Sequence, residues 1–155
     1  MTPQEHERRV NICSSFREKW QGVKMQWGVL DCAQMARAFA IELGAPDLLA
    51  DWPEYATKRE ARATLKAAGF KTFTDAITAK LEPLEHVNLA MEGDFVELKS
   101  NDAKMSALTI KLSAHSYLMF AKVTANEVPS VQVIGVSAIY NNDFAFTGNA
   151  WRVPC

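Results

Sequence analysis

The chain has 155 residues, of which 48% are hydrophobic and 23% charged, values typical of a folded domain rather than a disordered segment. Its 17 basic and 18 acidic side chains give a formal net charge of -1, which excludes the basic field that non-specific nucleic-acid binding requires. The length predicts one domain over residues 1–155.

Cysteine usage indicates neither a disulfide framework nor a zinc site. Cys13, Cys32 and Cys155 are odd in number and widely spaced, and no CxxC pair or Cys/His cluster occurs. A chain of this length buries enough surface to fold without such supports, so we expect no metal and no cofactor.

The first twenty residues are charged and lack the apolar stretch of a secretory signal. No segment approaches the ~20 consecutive apolar residues of a membrane span. The sequence therefore predicts synthesis in a cytoplasm and no membrane span.

Two helices are predicted before residue 45. The first begins at Thr2, with Glu5 completing a capping box, and ends before Gly22. The second is N-capped by Asp31 and ends at Gly44. Its apolar face comprises Cys32, Met35, Ala36, Phe39 and Leu43.

Two shorter helices follow. One begins at Thr57, with Glu60 at the capping-box position, and ends near Ala68; the other covers 74–81. The charged residues 58–62 are interpreted as a solvated helix face rather than a nucleic-acid patch.

The second half of the chain changes to the alternating pattern of strands. Strands are predicted at 94–99, 107–112, 117–123, 131–140 and 151–153, with a hairpin loop at 113–116 and a loop at 141–149. Because helices precede strands, the sequence predicts an α+β fold in which N-terminal helices pack on a C-terminal antiparallel sheet.

Cys32 is the residue whose position suggests chemistry. It lies in the first turn of a helix, where unpaired amides and the helix dipole favour a thiolate. It also belongs to that helix's apolar face, as an inert buried cysteine would. Position and periodicity leave both interpretations open.

The motifs Trp27-Gly28, Asp31-Cys32 and Gly93-Asp94 resemble those of the NlpC-type, papain-like cell-wall cysteine peptidases. The resemblance implies the papain-like fold, with Cys32 as nucleophile and Gly93-Asp94 opening the first core strand. The match is closer to a phage-encoded, tail-associated branch, through further elements: Trp52-Pro53-Glu54-Tyr55, Gly69-Phe70 and Ala150-Trp151-Arg152-Val153.

One position departs from the family pattern. The resemblance places the catalytic histidine at Ala107, and alanine cannot act as a base. The histidines present are His6, His86 and His115, of which His115, in the predicted hairpin loop, is the first candidate base and His86 the second.

Aromatic side chains suggest a ligand groove. Trp27, Trp52, Tyr55 and Trp151 are candidates to line it for a glycan or peptide, although aromatic residues also serve as core or interface anchors. Trp27 and Asp31, beside Cys32, are the substrate-contact candidates.

The resemblance and the missing histidine together predict a catalytically impaired phage or prophage tail component. Its partners would be tail-tip, hub or baseplate proteins, and peptidoglycan; it would be made in the host cytoplasm and assembled into the virion tail. One alternative is an active cell-wall endopeptidase using Cys32 with His115 or His86. The other is an intracellular adaptor or immunity-type binding protein.

Overall fold

The computed structural model describes residues 1–100, 106–124, 126–137 and 144–155. The described residues form four α-helices followed by a six-stranded sheet, an α+β fold as predicted. The helices are α1 (Pro3–Trp20), α2 (Cys32–Leu43), α3 (Lys58–Ala67) and α4 (Phe73–Lys80). The strands are β1 (Glu82–Pro83), β2 (Phe95–Ser100), β3 (Ser106–Ser113), β4 (Ser116–Ala121), β5 (Ser130–Gly135) and β6 (Phe144–Arg152).

Local capping explains where the first two helices begin and end. Thr2 Oγ1 accepts the Glu5 backbone N–H at 3.1 Å, and the Glu5 carboxylate accepts that of Thr2 at 2.7 Å. Asp31 caps α2 through the Gln34 N–H at 2.9 Å, and Gly44 ends it with φ +94°. The predicted bounds of both helices are confirmed.

The other two helices differ slightly from prediction. Thr57 caps α3, but the Glu60 carboxylate accepts the N–H of Ala56, one residue before the cap, so the predicted box does not close. Helix α4 begins one residue earlier than expected because Thr72 caps it in a box with Asp75.

The sheet is antiparallel throughout, in the order β1-β6-β2-β3-β4-β5. Strands β2 to β5 follow the chain, and the last strand inserts between β1 and β2. Both α1 and α2 contact β3, so helices cover the middle of the sheet. In β3, Leu108 and Ile110 belong to the helix-side core, whereas Ala107 packs in a second apolar cluster on the opposite face.

Strand β6 corrects the prediction for the C-terminal region. Residues 144–149, expected in a loop, belong to a nine-residue strand, while 138–143, covered by the predicted strand 131–140 and the loop, lie outside the described residues. The register with β2 shifts by two residues between the pairs Val96–Ala150 and Leu98–Phe146. Gly148, with φ +93°, lies within this bulge, so residues of low strand propensity are accommodated by tertiary pairing.

In the part of the chain that the structure describes, no helix combines the length and the apolar character needed to cross a bilayer.

Candidate functional site

A cavity of about 400 Å³ opens at the N-terminal end of α2. Asp31, Cys32 and Ala33, at the start of α2, line the cavity and are called its floor, and Leu108 of β3 lines it as well. Aromatic and aliphatic side chains form most of the walls: Met25, Trp27, Trp52, Tyr55, Ala61, Leu65 and Phe73. Size and lining are those of a small-ligand or side-chain pocket.

The aromatic wall agrees with the predicted groove in three of its four members. Trp27, Trp52 and Tyr55 line the cavity, and the Trp52 ring lies 6.0 Å from that of Phe73 in a T-shaped pair. Trp151 does not take part, since it is buried in the core and donates from Nε1 to Thr78 Oγ1 at 3.0 Å. The sequence gives no sign that Phe73 lines the groove, because the start of α4 is far from the start of α2 along the chain and the two line one cavity only after folding.

Asp31 holds the cavity floor together. Its Oδ2 accepts the Gly28 N–H at 2.9 Å and the Tyr55 hydroxyl at 2.8 Å, while Oδ1 caps α2. The carboxylate is 2% exposed. Asp31, a predicted substrate contact, thus lines the cavity with both oxygens bonded within the chain. Burial raises the pKa of the Tyr55 hydroxyl, and its hydrogen bond to Asp31 and the charge of that carboxylate raise it as well.

The close approach of two backbone segments gives Gly28 its role. Gly28 has φ +78°, and a Cβ built on it would lie 1.7 Å from the carbonyl oxygen of Tyr55. Only glycine fits both the left-handed conformation and this contact. The glycine of the Trp-Gly motif therefore positions the Tyr55 segment over the start of α2.

Cys32 lies where predicted, at the first residue of α2 and on the cavity floor. The pKa of its thiol is raised to about 12, mainly by burial and also by the negative charge of Asp31, while its own backbone N–H opposes the change. This is the reverse of the shift that a helix N-terminus alone favours. At neutral pH the cavity therefore contains a thiol rather than a thiolate.

All three histidines lie within the described part of the chain, and none lines the cavity. His115 occupies the β3–β4 turn and is exposed. At about 3.3 Å per residue, β3 carries Ser113 roughly 17 Å beyond the cavity-lining Leu108, and His115 lies in the turn that follows Ser113. His86 and His6 are also exposed, on the segment before β2 and on α1.

The β3 residue that faces Cys32's cavity is Leu108, not Ala107. Ala107 pairs with Leu98 and packs on the far side of the sheet. Ala107, the position that the resemblance assigns to the family histidine, therefore does not line this cavity. The conclusion for chemistry is the same, because neither side chain has a lone pair to accept a proton.

Three cations lie around the cavity mouth: Lys58, Arg62 and Lys71. Lys58 and Arg62 are exposed, as predicted for a solvated helix face, and they also line the cavity with Ala61 and Leu65. Spacing by three, four and seven residues along α3 places these four on one face. That spacing was the available signal, although the sequence does not say what the face covers.

The Gly93-Asp94 motif forms a second buried centre, whose residues do not line the cavity. Asp94 Oδ1 lies 2.6 Å from Arg9 Nη2, and Oδ2 lies 3.0 Å from Arg152 Nε. The Val153 backbone N–H also donates to this carboxylate, at 3.1 Å. Asp94 therefore joins the first helix to the end of the last strand.

Alkylation tests the state of Cys32. At about pH 7.5 we expect iodoacetamide to modify Cys32 about a thousandfold more slowly than a free thiol of pKa about 8.5, because so little is ionised. The rate should keep rising about tenfold per pH unit up to about pH 11. Mass spectrometry of the modified peptides measures the alkylation rate, and the exposed Cys155 is the internal control. Equal rates for the two cysteines would contradict the raised pKa of Cys32.

The raised pKa of Cys32 also makes the free energy of unfolding depend on pH under alkaline conditions. The pKa of Cys32 is higher in the folded chain than in the unfolded chain, so the protonated thiol contributes fully to the free energy of unfolding below about pH 8.5. That contribution is lost as the pH rises towards the folded pKa, because the unfolded chain then releases the proton more readily.

A family model described as "Domain of unknown function (DUF6950)" matches residues 6–136, and the chain therefore belongs to that family. No curated protein and no solved structure matches the chain significantly. The matched region includes most of α1, all of α2 to α4, Cys32 and the whole of the cavity lining.

Proposed function

We propose that this member of the DUF6950 family is a phage or prophage tail component with an NlpC-type, papain-like fold and impaired peptidase chemistry. The observation that carries the proposal is a cysteine on the floor of a ligand-sized cavity from which every histidine of the chain is missing. The cavity is retained as a binding feature, and the cysteine is not used as a nucleophile.

The chemistry of amide cleavage supports the loss of activity. A thiol must lose its proton before it attacks a carbonyl, and the leaving amine must gain one. Leu108 and Ala107 supply neither function, and the pKa of Cys32 near 12 leaves the thiol protonated. Cys32 therefore resembles a remnant of catalysis that now packs on the cavity floor.

The motif order that resembles the tail-associated branch supports the tail assignment. Its residues have architectural tasks that do not require catalysis: Gly28 permits a backbone contact, Asp31 joins three segments, and Asp94 joins both ends of the domain. A structural descendant of a peptidase would retain such residues after losing its base.

The tail assignment predicts a phenotype in a phage or prophage that encodes this chain. We expect the protein in purified particles, and deletion of its gene should give tail-defective particles. A Cys32→Ala copy should restore infectivity fully, because the thiol does no chemistry. Mass spectrometry of particles and plaque counts measure these outcomes. Particles without the chain, together with normal tails after deletion, would overturn the proposal.

An active cell-wall endopeptidase is the second candidate, favoured by the placement of a thiol within an open cavity. Incubation with purified peptidoglycan separates the two. Release of stem-peptide fragments by the native chain but not by Cys32→Ser would establish the enzyme, with a base recruited from outside the cavity. Fragments from neither chain would support the impaired domain. Co-purification with a single non-phage partner would instead favour the adaptor interpretation.

A further inference from the structure

We propose that the Cys32 cavity binds an acidic peptide segment of a partner protein, which inserts one large apolar side chain and places carboxylates against Lys58, Arg62 and Lys71. The inference deepens the proposed function, on which it rests for the nature of the partner, by naming the contact. Apolar walls, unpaired cations and an extended shape carry it.

The walls select an apolar anchor. Trp27, Trp52 and Phe73 present ring surface, and Leu65 and Leu108 add aliphatic surface. A cavity of about 400 Å³ accommodates a phenylalanine or leucine side chain. Burying such a side chain contributes the largest favourable term available at this surface.

The positive charge at the mouth of the cavity favours acidic residues on either side of the apolar side chain in the bound peptide. Among the described residues, Lys58, Arg62 and Lys71 have no ion pair and no side-chain hydrogen bond. Asp31 is the one acidic side chain among the described residues that line the cavity, and both its oxygens are bonded within the chain. Nearby Glu60 accepts the N–H of Ala56, as a capping contact. The mouth therefore presents positive charge that an anionic partner would complement.

The shape favours a peptide over a compact anion. A second concavity of about 600 Å³ adjoins the first and shares Met25 and Trp27 with it, extending the surface to residues 126–129. The cations are exposed; two lie on α3 and Lys71 lies two residues before α4, rather than converging on one buried point as a phosphate site would. A chain of several residues can follow this surface and reach more than one cation.

Calorimetry with synthetic peptides tests the inference on the full chain. The probe is the blocked peptide Gly-Asp-Glu-Phe-Asp-Glu-Gly, and its control replaces each acidic residue by lysine. We expect micromolar binding of the acidic peptide, weakened about tenfold between about 50 and 300 mM salt, and no binding of the basic one. Quenching of tryptophan fluorescence should accompany binding, since Trp27 and Trp52 line the cavity.

Matched variants localise the binding. The double variant Lys58→Ala/Arg62→Ala should bind the acidic peptide about tenfold more weakly than the native chain. Arg59→Ala/Lys66→Ala removes the same charge from exposed positions of the same helix outside the lining, and should change it less than about twofold. Ala61→Trp fills the cavity from α3, whose residues are not buried, and should abolish binding without unfolding the chain.

Three results would overturn the inference: no binding of the acidic peptide, equal losses in both double variants, or phenylpropionate binding as tightly as the peptide, which would indicate a small-molecule pocket. Each is independent of the particle experiment. A chain found in virions that fails to bind the peptide would retain its tail assignment and lose only this contact.

Discussion

Replacing Gly28 by alanine is expected to lower the free energy of unfolding by about 3 to 5 kcal/mol, or to prevent folding altogether. The new methyl group would lie 1.7 Å from the Tyr55 carbonyl oxygen, so one of the two backbone segments must move. That movement would also disturb the bonds by which Asp31 holds Gly28 and Tyr55. Urea unfolding followed by circular dichroism measures the change.

The matched control is Gly69→Ala. Gly69 has φ +88°, close to the +78° of Gly28, but a Cβ there would meet nothing within 4 Å. We expect a loss of only about 1 to 2 kcal/mol, the cost of the left-handed conformation alone. Similar losses for the two variants would show that the contact with Tyr55 does not determine the requirement for glycine.

Replacing Arg9 by methionine is expected to cost about 3 kcal/mol or more. The guanidinium is 1% exposed and donates to the Glu92 carbonyl at 2.7 Å, the Val153 carbonyl at 2.6 Å and Asp94 at 2.6 Å. Methionine fills much of the space of the arginine side chain but cannot donate hydrogen bonds. The carbonyls of Glu92 and Val153 lose this donor, and the Asp94 carboxylate loses one of its positively charged neighbours. Buried polar groups left without a hydrogen-bond partner lower the free energy of unfolding. Arg152 retains part of the compensation.

Arg37→Met provides the comparison. Arg37 pairs with Asp47 at a similar distance, 2.8 Å, but both side chains are partly exposed, and pairs of this kind contribute little. We expect a change below about 1 kcal/mol, measured by the same urea titration. A loss at Arg9 no greater than at Arg37 would contradict the view that the buried pair joins the two ends of the domain.

Gly28 and Arg9 differ in how far their structural importance can be predicted from the sequence. Gly28 belongs to a motif, so its importance was indicated, although the contact with Tyr55 was not. Arg9 carried no signal, because an arginine in the first helix is ordinarily exposed. Its burial depends on Asp94 and Val153, which are 85 and 144 residues away along the chain. Interactions at such separations leave no local pattern.

The sequence by itself determined what short-range interactions control. Thr2 and Asp31 cap helices through backbone groups three residues away, and alternating apolar residues specify most strands of the α+β fold. The same local geometry determines that Cys32 begins α2.

Only the tertiary structure decided what lies around Cys32 and how the sheet ends. Strand β6 forms although it contains Gly148 and Asn149, residues of low strand propensity, because β2 supplies its hydrogen-bond partners, and Gly148 takes up the bulge. Leu108 rather than Ala107 reaches the cavity because alternate strand residues point to opposite faces, and helix packing decides which face is covered. The pKa of Cys32 rises rather than falls because burial, which sequence position does not reveal, outweighs the helix terminus.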